Sequence, residues 1–188
     1  MKRVMIVGQP GSGKSTLARK LGALTFLPVY HMDHIHWTSG WIERAPRQKD
    51  ALCAEVHARP EWIFEGGRSA TFPQRLARAD TLIWLDFPPT LRMVRVLRRT
   101  IRHYGRTRPD LPDGCPEQFN RAFLRYIWRT RQTHRAMLQR LYDSAPEEKS
   151  RVRLGSAAEV RAYLRDLSAA LSVGNLGIPH RGESFSAG

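Results

Sequence analysis

Residues 8–16 constrain the fold of this chain more than any other stretch. They read Gly-Gln-Pro-Gly-Ser-Gly-Lys-Ser-Thr, which matches the pattern G-x-x-x-x-G-K-[ST]. The motif follows a short apolar run at residues 4–7 and precedes an amphipathic segment that begins at Leu17. A glycine-rich loop between a β-strand and an α-helix is the setting in which this motif binds phosphate. The sequence therefore predicts a P-loop near the start of an α/β domain.

Each residue type in the motif has a physical role. Gly8, Gly11 and Gly13 allow backbone conformations in which successive N–H groups point inward around a phosphate. A lysine at the end of the loop places a positive charge near the β- and γ-phosphates, and the hydroxyl group that follows can join the Mg²⁺ shell. The pattern predicts MgATP as a ligand. The predicted nucleotide-binding residues are Gly8, Gly11, Ser12, Gly13, Lys14, Ser15 and Thr16.

Length and composition favour one domain with a sizeable core. The chain has 188 residues, of which 41% are hydrophobic. No apolar run approaches the roughly 20 residues that a membrane span needs, so we expect a soluble cytoplasmic protein with no membrane partner. Two cysteines, Cys53 and Cys115, are too few for a disulfide framework.

The charge of the chain is strongly positive. Its 31 Lys and Arg residues exceed its 17 Asp and Glu residues, which gives a formal net charge of +14. Such a surplus indicates polyanionic partners, whether nucleotides, nucleic acid or an anionic surface. The charge alone does not choose among them.

The apolar runs predict the strands of a parallel sheet. After the strand that precedes the P-loop, four more are predicted at residues 27–31, 61–65, 81–86 and 151–154. Helical patterns separate them, which favours a three-layer α/β fold with a five-stranded parallel sheet. The P-loop resembles that of nucleotide-kinase-type P-loop NTPase folds, which implies the strand order 2-3-1-4-5. The kinase domain is predicted to span residues 1–171, with residues 172–188 as a flexible tail.

Acidic residues follow three of these strands. The carboxyl ends of parallel strands line the ligand crevice, so Asp33, after strand two, is predicted to lie near the phosphates. There it could deprotonate an acceptor hydroxyl group or hold a metal-bound water. Strand three ends in Glu65 and strand four in Asp86, so both are candidates for the acid that faces the Mg²⁺ shell. We prefer Glu65, because strand three lies beside strand one in the predicted order.

An arginine-rich helix leads into a predicted lid. From residue 91 to 103 the pattern is helical, with an apolar stripe predicted to face inward: Leu91, Val94, Leu97 and Ile101. Residues 104–117 are too rich in Pro and Gly for regular structure, so a flexible lid is expected. Arginines on a lid can neutralise a transferring phosphoryl group. The candidates for this role are Arg99, Arg106 and Arg108. A second long helix is predicted from residue 117 to 142.

Further residues are candidates for contacts with a phosphate acceptor. Trp37 could stack on a base or a sugar, or instead anchor its own loop. Gly66 and Gly67 would let backbone amides approach a substrate. Arg68 and Arg75 are candidate contacts for a phosphate group on the acceptor.

Together these residues resemble the adenylate-kinase-like P-loop family labelled topology modulation proteins, over residues 1 to about 171. The resemblance rests on residues 8–16, 30–33, 37, 40–41, 62–66, 85–88, 105–110 and 114–117. It implies a nucleotide-kinase-like sheet, an ATP site and a lid that carries arginines. Where the family usually has Asp-Gly-Asn, this chain has Glu65-Gly66-Gly67, which removes one side chain offered to the acceptor.

The sequence thus predicts an ATP-dependent phosphotransferase that acts on a small acceptor such as a nucleotide or a nucleoside. If the acceptor group is a hydroxyl, Asp33 acts as a base. A nucleoside monophosphate is already ionised and needs no base, so Arg68 and Arg75 would matter instead. The alternative is a nucleic-acid-binding P-loop NTPase or regulator that affects DNA topology. The sequence contains no recognisable DNA-reading motif, and it does not indicate the oligomeric state.

Overall fold

The computed structural model describes residues 1–175. Its strands are β1 (Arg3–Gly8), β2 (Val29–His31), β3 (Trp37–Thr38), β4 (Ile42–Glu43), β5 (Trp62–Glu65), β6 (Thr81–Leu85) and β7 (Ser150–Leu154). Its helices are α1 (Lys14–Thr25), α2 (Met32–His36), α3 (Pro46–Ala58), α4 (Phe72–Arg78), α5 (Pro89–His103), α6 (Arg121–Arg129), α7 (Arg131–Asp143) and α8 (Ala157–Asn175).

The main sheet confirms the predicted topology. Its five strands lie in the order β2-β5-β1-β6-β7, and every neighbouring pair is parallel. Because β3 and β4 form a separate antiparallel pair, counting only the strands of the main sheet gives the order 2-3-1-4-5. The sheet therefore places β5 directly beside β1, and the ends of both strands meet at one edge.

Helices cover both faces of the sheet, which confirms the three-layer α/β fold. All residues of β5 and β6 are buried, as expected for parallel strands packed on both sides. One apolar cluster joins the sheet to α3, α4 and α7, through side chains such as Cys53, Leu76 and Leu138. The other joins it to α1 and α8, through side chains such as Leu17 and Leu164.

The inward face predicted for α5 is wrong. The helix buries Arg92, Val96 and Thr100, whereas Val94 is 59% exposed and Ile101 is 78% exposed. Beside the apolar Val96, this face makes polar contacts: Arg92 donates to the carbonyl groups of Phe87 and Pro10, and Thr100 donates to the carboxylate of Glu117. Buried acceptors of this kind need donors, which apolar side chains cannot supply.

The predicted helix over residues 117–142 is two helices, α6 and α7, with Thr130 between them. Helix α6 begins only after Asn120, whose side chain accepts a hydrogen bond from the backbone N–H of Phe123 (2.9 Å). At the other end of the chain, α8 continues to Asn175, so residues 172–175 are helical where a tail was predicted. The rest of the predicted tail lies outside the described residues.

Between residues 1 and 175, no helix is both long enough and apolar enough to cross a membrane.

Candidate active site

The P-loop connects β1 to α1 and needs its glycines. Gly11 and Gly13 have φ angles of +79° and +93°, a region that residues with a Cβ rarely adopt. A methyl group at Gly11 would also lie 2.4 Å from the carbonyl oxygen of Arg92, so the loop and α5 are in close backbone contact. The Nζ group of Lys14 lies 3.3 Å from the carbonyl oxygen of Gln9. The motif thus forms a loop that leads into the first turn of α1.

The P-loop borders a cavity of about 1170 Å³, which is larger than the usual volume for one small ligand. The structure brings most of the predicted site residues to its wall: Gly8, Gly11, Ser12, Gly13, Lys14, Ser15, Thr16, Asp33, Trp37, Glu65, Gly66, Gly67, Arg68, Arg99 and Arg108. Three predicted residues do not line the cavity: Arg75, Asp86 and Arg106.

Two oxygen-bearing side chains that suit Mg²⁺ meet where β1 and β5 end. The hydroxyl group of Ser15 donates to Oε1 of Glu65 at 3.0 Å, and Nδ1 of His31 lies 2.8 Å from the same oxygen. Hydroxyl and carboxylate oxygens are ligands that Mg²⁺ or its bound waters accept. The residues present therefore fit a magnesium site, and the adjacency of β1 and β5 is what brings them together.

Asp86 is committed to other partners. Arg135 donates to both of its carboxylate oxygens at 2.9 Å, and Nη2 of Arg153 donates to one of them at 2.6 Å. Burial raises the pKa of Asp86, but the hydrogen bonds from Arg135 and Arg153 outweigh it and hold the pKa below its ordinary value. The structure therefore places the second candidate metal acid in a surface ion-pair network instead of the cavity.

Asp33 lies in the first turn of α2, directly after β2, and faces the cavity. Burial raises the pKa of its carboxyl group above the ordinary 3.8, and the negative charge of Glu65 raises it further. The positive charges of Lys14 and Arg108 offset part of this increase. A carboxyl group with a raised pKa close to the P-loop lysine is suited to accept a proton.

The lid segment, residues 104–117, is folded back on itself in this structure. Isolated bridges join Tyr104 to Glu117 and Thr107 to Pro116. Leu111 and Cys115 are buried. The segment thus has two short bridges and two buried side chains in this structure. Its predicted flexibility stays a prediction.

Two buried carboxylates hold Arg99 and Arg108. Glu117 accepts hydrogen bonds from Arg99 (3.2 Å), Arg108 (2.8 Å) and the hydroxyl group of Thr100 (2.9 Å). Asp110 accepts from Arg108 and lies 3.4 Å from a guanidinium nitrogen of Arg19. Arg99 and Arg108 therefore sit at the cavity wall with their charges paired to carboxylates. Arg106 is exposed and lies away from the cavity.

The lid also contacts the small hairpin formed by β3 and β4. The backbone N–H of Trp41 donates to Sγ of Cys115 (3.4 Å), and its indole N–H donates to the carbonyl oxygen of Pro116 (3.0 Å). Trp37 packs edge-on against Trp41, with ring centroids 5.5 Å apart. The hairpin and the lid therefore form one continuous wall of the cavity.

The structure places Arg75 away from the acceptor contact that the sequence predicted. Its side chain is fully buried, donates to the carbonyl oxygen of Gly66 at 2.9 Å, and lies 3.7 Å from the ring centroid of Phe64. Burial lowers its pKa to about 10. It supports the loop after β5 from behind and does not reach the cavity. Arg68 does line the cavity, although it is also paired with Asp50 at 2.7 Å.

Sequence reasoning missed two arginines of α5 that donate to carbonyl groups of the P-loop. Arg92 donates to the carbonyl oxygen of Pro10 (3.3 Å), and Arg95 donates to that of Ser12 (3.5 Å). On the far side, the amide of Gln9 donates to the carbonyl oxygen of Arg131 (2.9 Å). The available signal was the spacing of Arg92, Arg95 and Arg99, which lie on one face of a helix.

The fold has counterparts among solved structures. A shikimate kinase from Acinetobacter baumannii, in complex with shikimate, is 19% identical with a TM-score of 0.54, covering 92% of this chain and 94% of its own. A shikimate kinase from Bacteroides thetaiotaomicron is 16% identical with a TM-score of 0.58, and the match covers 91% of this chain and 98% of its own. A gluconokinase from Sinorhizobium meliloti 1021 is 16% identical with a TM-score of 0.50, and the match covers 92% of this chain and 97% of its own.

These similarities show that the chain has the α/β fold of P-loop kinases. At such identities they show the fold and not the substrate. The chain matches no protein-family model and no curated protein. The resemblance to topology modulation proteins therefore stays a prediction, without support from these comparisons.

Proposed function

We propose that this protein is an ATP-dependent kinase that transfers the γ-phosphoryl group of MgATP to a hydroxyl group on a small acceptor. The observation that carries the proposal is the position of Asp33, a carboxyl group with raised pKa on the same cavity wall as the P-loop lysine. A phosphate acceptor would need no base. It would also lack Arg75 as a contact, because that side chain is buried behind Gly66.

In the proposed reaction Asp33 accepts the proton of the acceptor hydroxyl group while the oxygen of that hydroxyl group bonds to the γ-phosphorus. The bond between that phosphorus and the bridging oxygen breaks, and ADP leaves with the electron pair. Lys14 and the P-loop N–H groups bind the phosphate oxygens, while Arg99 and Arg108 face the transferring group. Ser15 and Glu65 would hold Mg²⁺, which supplies positive charge to the phosphates when bound.

The acidic side of the pH profile tests the base. An aspartate must be ionised to accept a proton, so kcat/KM is expected to fall as the pH falls through the raised pKa of Asp33. The midpoint should lie above 3.8, the ordinary value for an aspartate. Steady-state rates at a series of pH values measure it. A profile that stays flat down to that ordinary value would contradict the assignment.

We infer that an aromatic surface on the cavity wall contacts the acceptor. Phe119 and Tyr126 line the cavity while remaining 54% and 48% exposed. Phe123 also lines it, and its ring is nearly parallel to that of Tyr126, with 16° between the planes. Exposed rings in a concave site favour a ligand with an apolar or planar part. We therefore favour acceptors that join a hydroxyl group to a ring.

The aromatic surface gives a prediction with a control on the same helix. Tyr126→Ala is expected to raise the KM of the acceptor by roughly 5- to 100-fold, the usual cost of a lost stacking contact. Trp128 is similarly exposed but does not line the cavity, so Trp128→Ala should leave the KM within about twofold. Steady-state kinetics with saturating MgATP compare the two. Equal KM values for both variants would contradict an acceptor contact at Tyr126.

The function itself is tested by ADP release from MgATP across a panel of potential acceptors. The panel contains nucleosides, hydroxy acids, sugars, nucleoside monophosphates and DNA, with Lys14→Ala as the blank. Stimulation by one hydroxyl-bearing small molecule supports the proposal. Stimulation by a nucleoside monophosphate alone would show that the acceptor group is a phosphate instead of a hydroxyl. Stimulation by DNA alone would favour the nucleic-acid alternative.

A further inference from the structure

Arg92 is a buried cation whose contacts are backbone carbonyl groups. Its side chain is 1% exposed, and no ion pair joins it to a carboxylate within residues 1–175. Its Nε–H donates to the carbonyl oxygen of Phe87 (3.1 Å), and its Nη1–H donates to that of Pro10 (3.3 Å). A buried charge is costly unless its partners satisfy it. Exposure to solvent therefore does not account for the position of this guanidinium group.

The geometry of a P-loop explains why a donor is needed there. When successive N–H groups point inward at a phosphate, carbonyl groups of the same loop turn outward and need donors of their own. Arg92 serves the carbonyl of Pro10, and Arg95 serves that of Ser12 at 3.5 Å. Both donors come from α5, and of the two only Arg95 also lines the cavity. The carbonyls of two P-loop peptide groups are thus bonded to cations.

Backbone packing fixes the same contact. A methyl group at Gly11 would lie 2.4 Å from the carbonyl oxygen of Arg92 and 3.0 Å from Cγ2 of Val96. The loop therefore rests directly on the backbone of α5, and the Arg92 side chain closes the contact at the preceding residue. Arg92 itself does not line the cavity.

We propose that Arg92 is a positioning residue for the phosphate-binding loop, an inference that rests on the ATP-binding role proposed above. It acts through the carbonyl group of Pro10, which shares a peptide unit with the N–H of Gly11. Donation to that carbonyl holds the peptide in its inward orientation and polarises it, so the Gly11 N–H becomes a stronger donor to a phosphate oxygen. Arg92 thus affects nucleotide binding through the Gly11 N–H group without contacting the nucleotide.

Arg75 offers a matched control. It is also fully buried and also donates to a loop carbonyl, that of Gly66 at 2.9 Å, but this loop follows β5 instead of β1. Substituting either arginine with glutamine removes a buried guanidinium group and is expected to lower the unfolding temperature. Only Arg92→Gln should also weaken the binding of phosphates.

The test is the dissociation constant of MgATP measured by calorimetry without acceptor. Arg92→Gln is expected to raise it on the order of 10-fold or more, as for a lost hydrogen bond from a charged group, while Arg75→Gln stays within about threefold of the wild type. Arg92→Lys should give an intermediate value, because one ammonium group cannot serve both carbonyls. Should Arg92→Gln fail to fold, Arg92→Lys and Arg75→Lys give the same comparison.

The outcomes separate the two proposals. A wild-type dissociation constant in Arg92→Gln, or in Arg92→Lys where only the lysine pair folds, would overturn the positioning role and leave the kinase proposal intact. Equal losses in the Arg92 and Arg75 variants would also overturn it, because the effect would then belong to any buried arginine. A wild-type protein that does not bind MgATP would overturn both.

Discussion

Replacing Asp33 with asparagine is expected to lower kcat by roughly 10²–10⁴-fold, the usual contribution of a general base. The KM for MgATP should change by less than about threefold, because the P-loop and Lys14 are untouched. Asparagine keeps the shape of the side chain but cannot accept the proton of the acceptor hydroxyl. Steady-state kinetics with the acceptor identified from the panel give both constants.

The same variant has an expected effect on stability that excludes unfolding as the cause. Burial raises the pKa of Asp33 above 3.8, so the folded protein binds this proton more tightly than the unfolded chain does. The free energy of unfolding therefore falls as the pH rises from 3.8 through the raised pKa, and the loss is complete above it. Because asparagine does not ionise, the variant should unfold at no lower a temperature than the wild type at neutral pH.

A matched control for Asp33 lies on the outside of α7. Asp143 is exposed and its carboxylate accepts a hydrogen bond from Gln139, so Asp143→Asn should keep wild-type kcat. Retention of wild-type kcat by Asp33→Asn with a hydroxyl acceptor would show that no base acts at this position. The proton of the acceptor hydroxyl would then be accepted by another group.

Arg108→Ala is expected to produce the second large effect, a decrease in kcat on the order of 10³-fold. Arg108 lines the cavity and is held there by Asp110 and Glu117. Removing its guanidinium group takes away positive charge where the transferring phosphoryl group would lie. Single-turnover rates at saturating MgATP measure the chemical step separately from binding and release.

Arg106 supplies the comparison for Arg108. It belongs to the same lid segment, but its side chain is exposed and does not line the cavity. Arg106→Ala should therefore stay within about threefold of the wild-type rate. Comparable losses in both variants would indicate that lid charge as a whole matters and that Arg108 has no particular place in the reaction.

The strands and the P-loop could be predicted from sequence because local patterns specify them, whereas the strand order followed from the resemblance to nucleotide-kinase-type P-loop folds. Short apolar runs between helical patterns identify parallel strands, and the glycine spacing at Gly8, Gly11 and Gly13 identifies the loop. The strand order puts β5 beside β1, which is why Ser15 and Glu65 could both be predicted at one magnesium site. Elements as short as β3 and β4 have no such period and were missed.

The orientation of α5 could not be predicted in the same way. Its sequence carries an apolar stripe and a basic stripe, and periodicity does not say which one faces inward. The choice depends on the surface against which the helix packs, here the carbonyl groups of the P-loop and the carboxylate of Glu117. Arg75 was misjudged for a related reason, because its partner, the carbonyl of Gly66, is known only once the chain is folded.

Phosphorus NMR of the complete reaction tests most directly whether the γ-phosphoryl group of ATP moves to a small hydroxyl acceptor. With MgATP and the acceptor from the panel, we expect ADP and a new phosphomonoester in equal amounts, with neither formed by Lys14→Ala. Inorganic phosphate as the sole product with every small acceptor, formed faster when DNA is added and more slowly at high salt, would contradict this expectation.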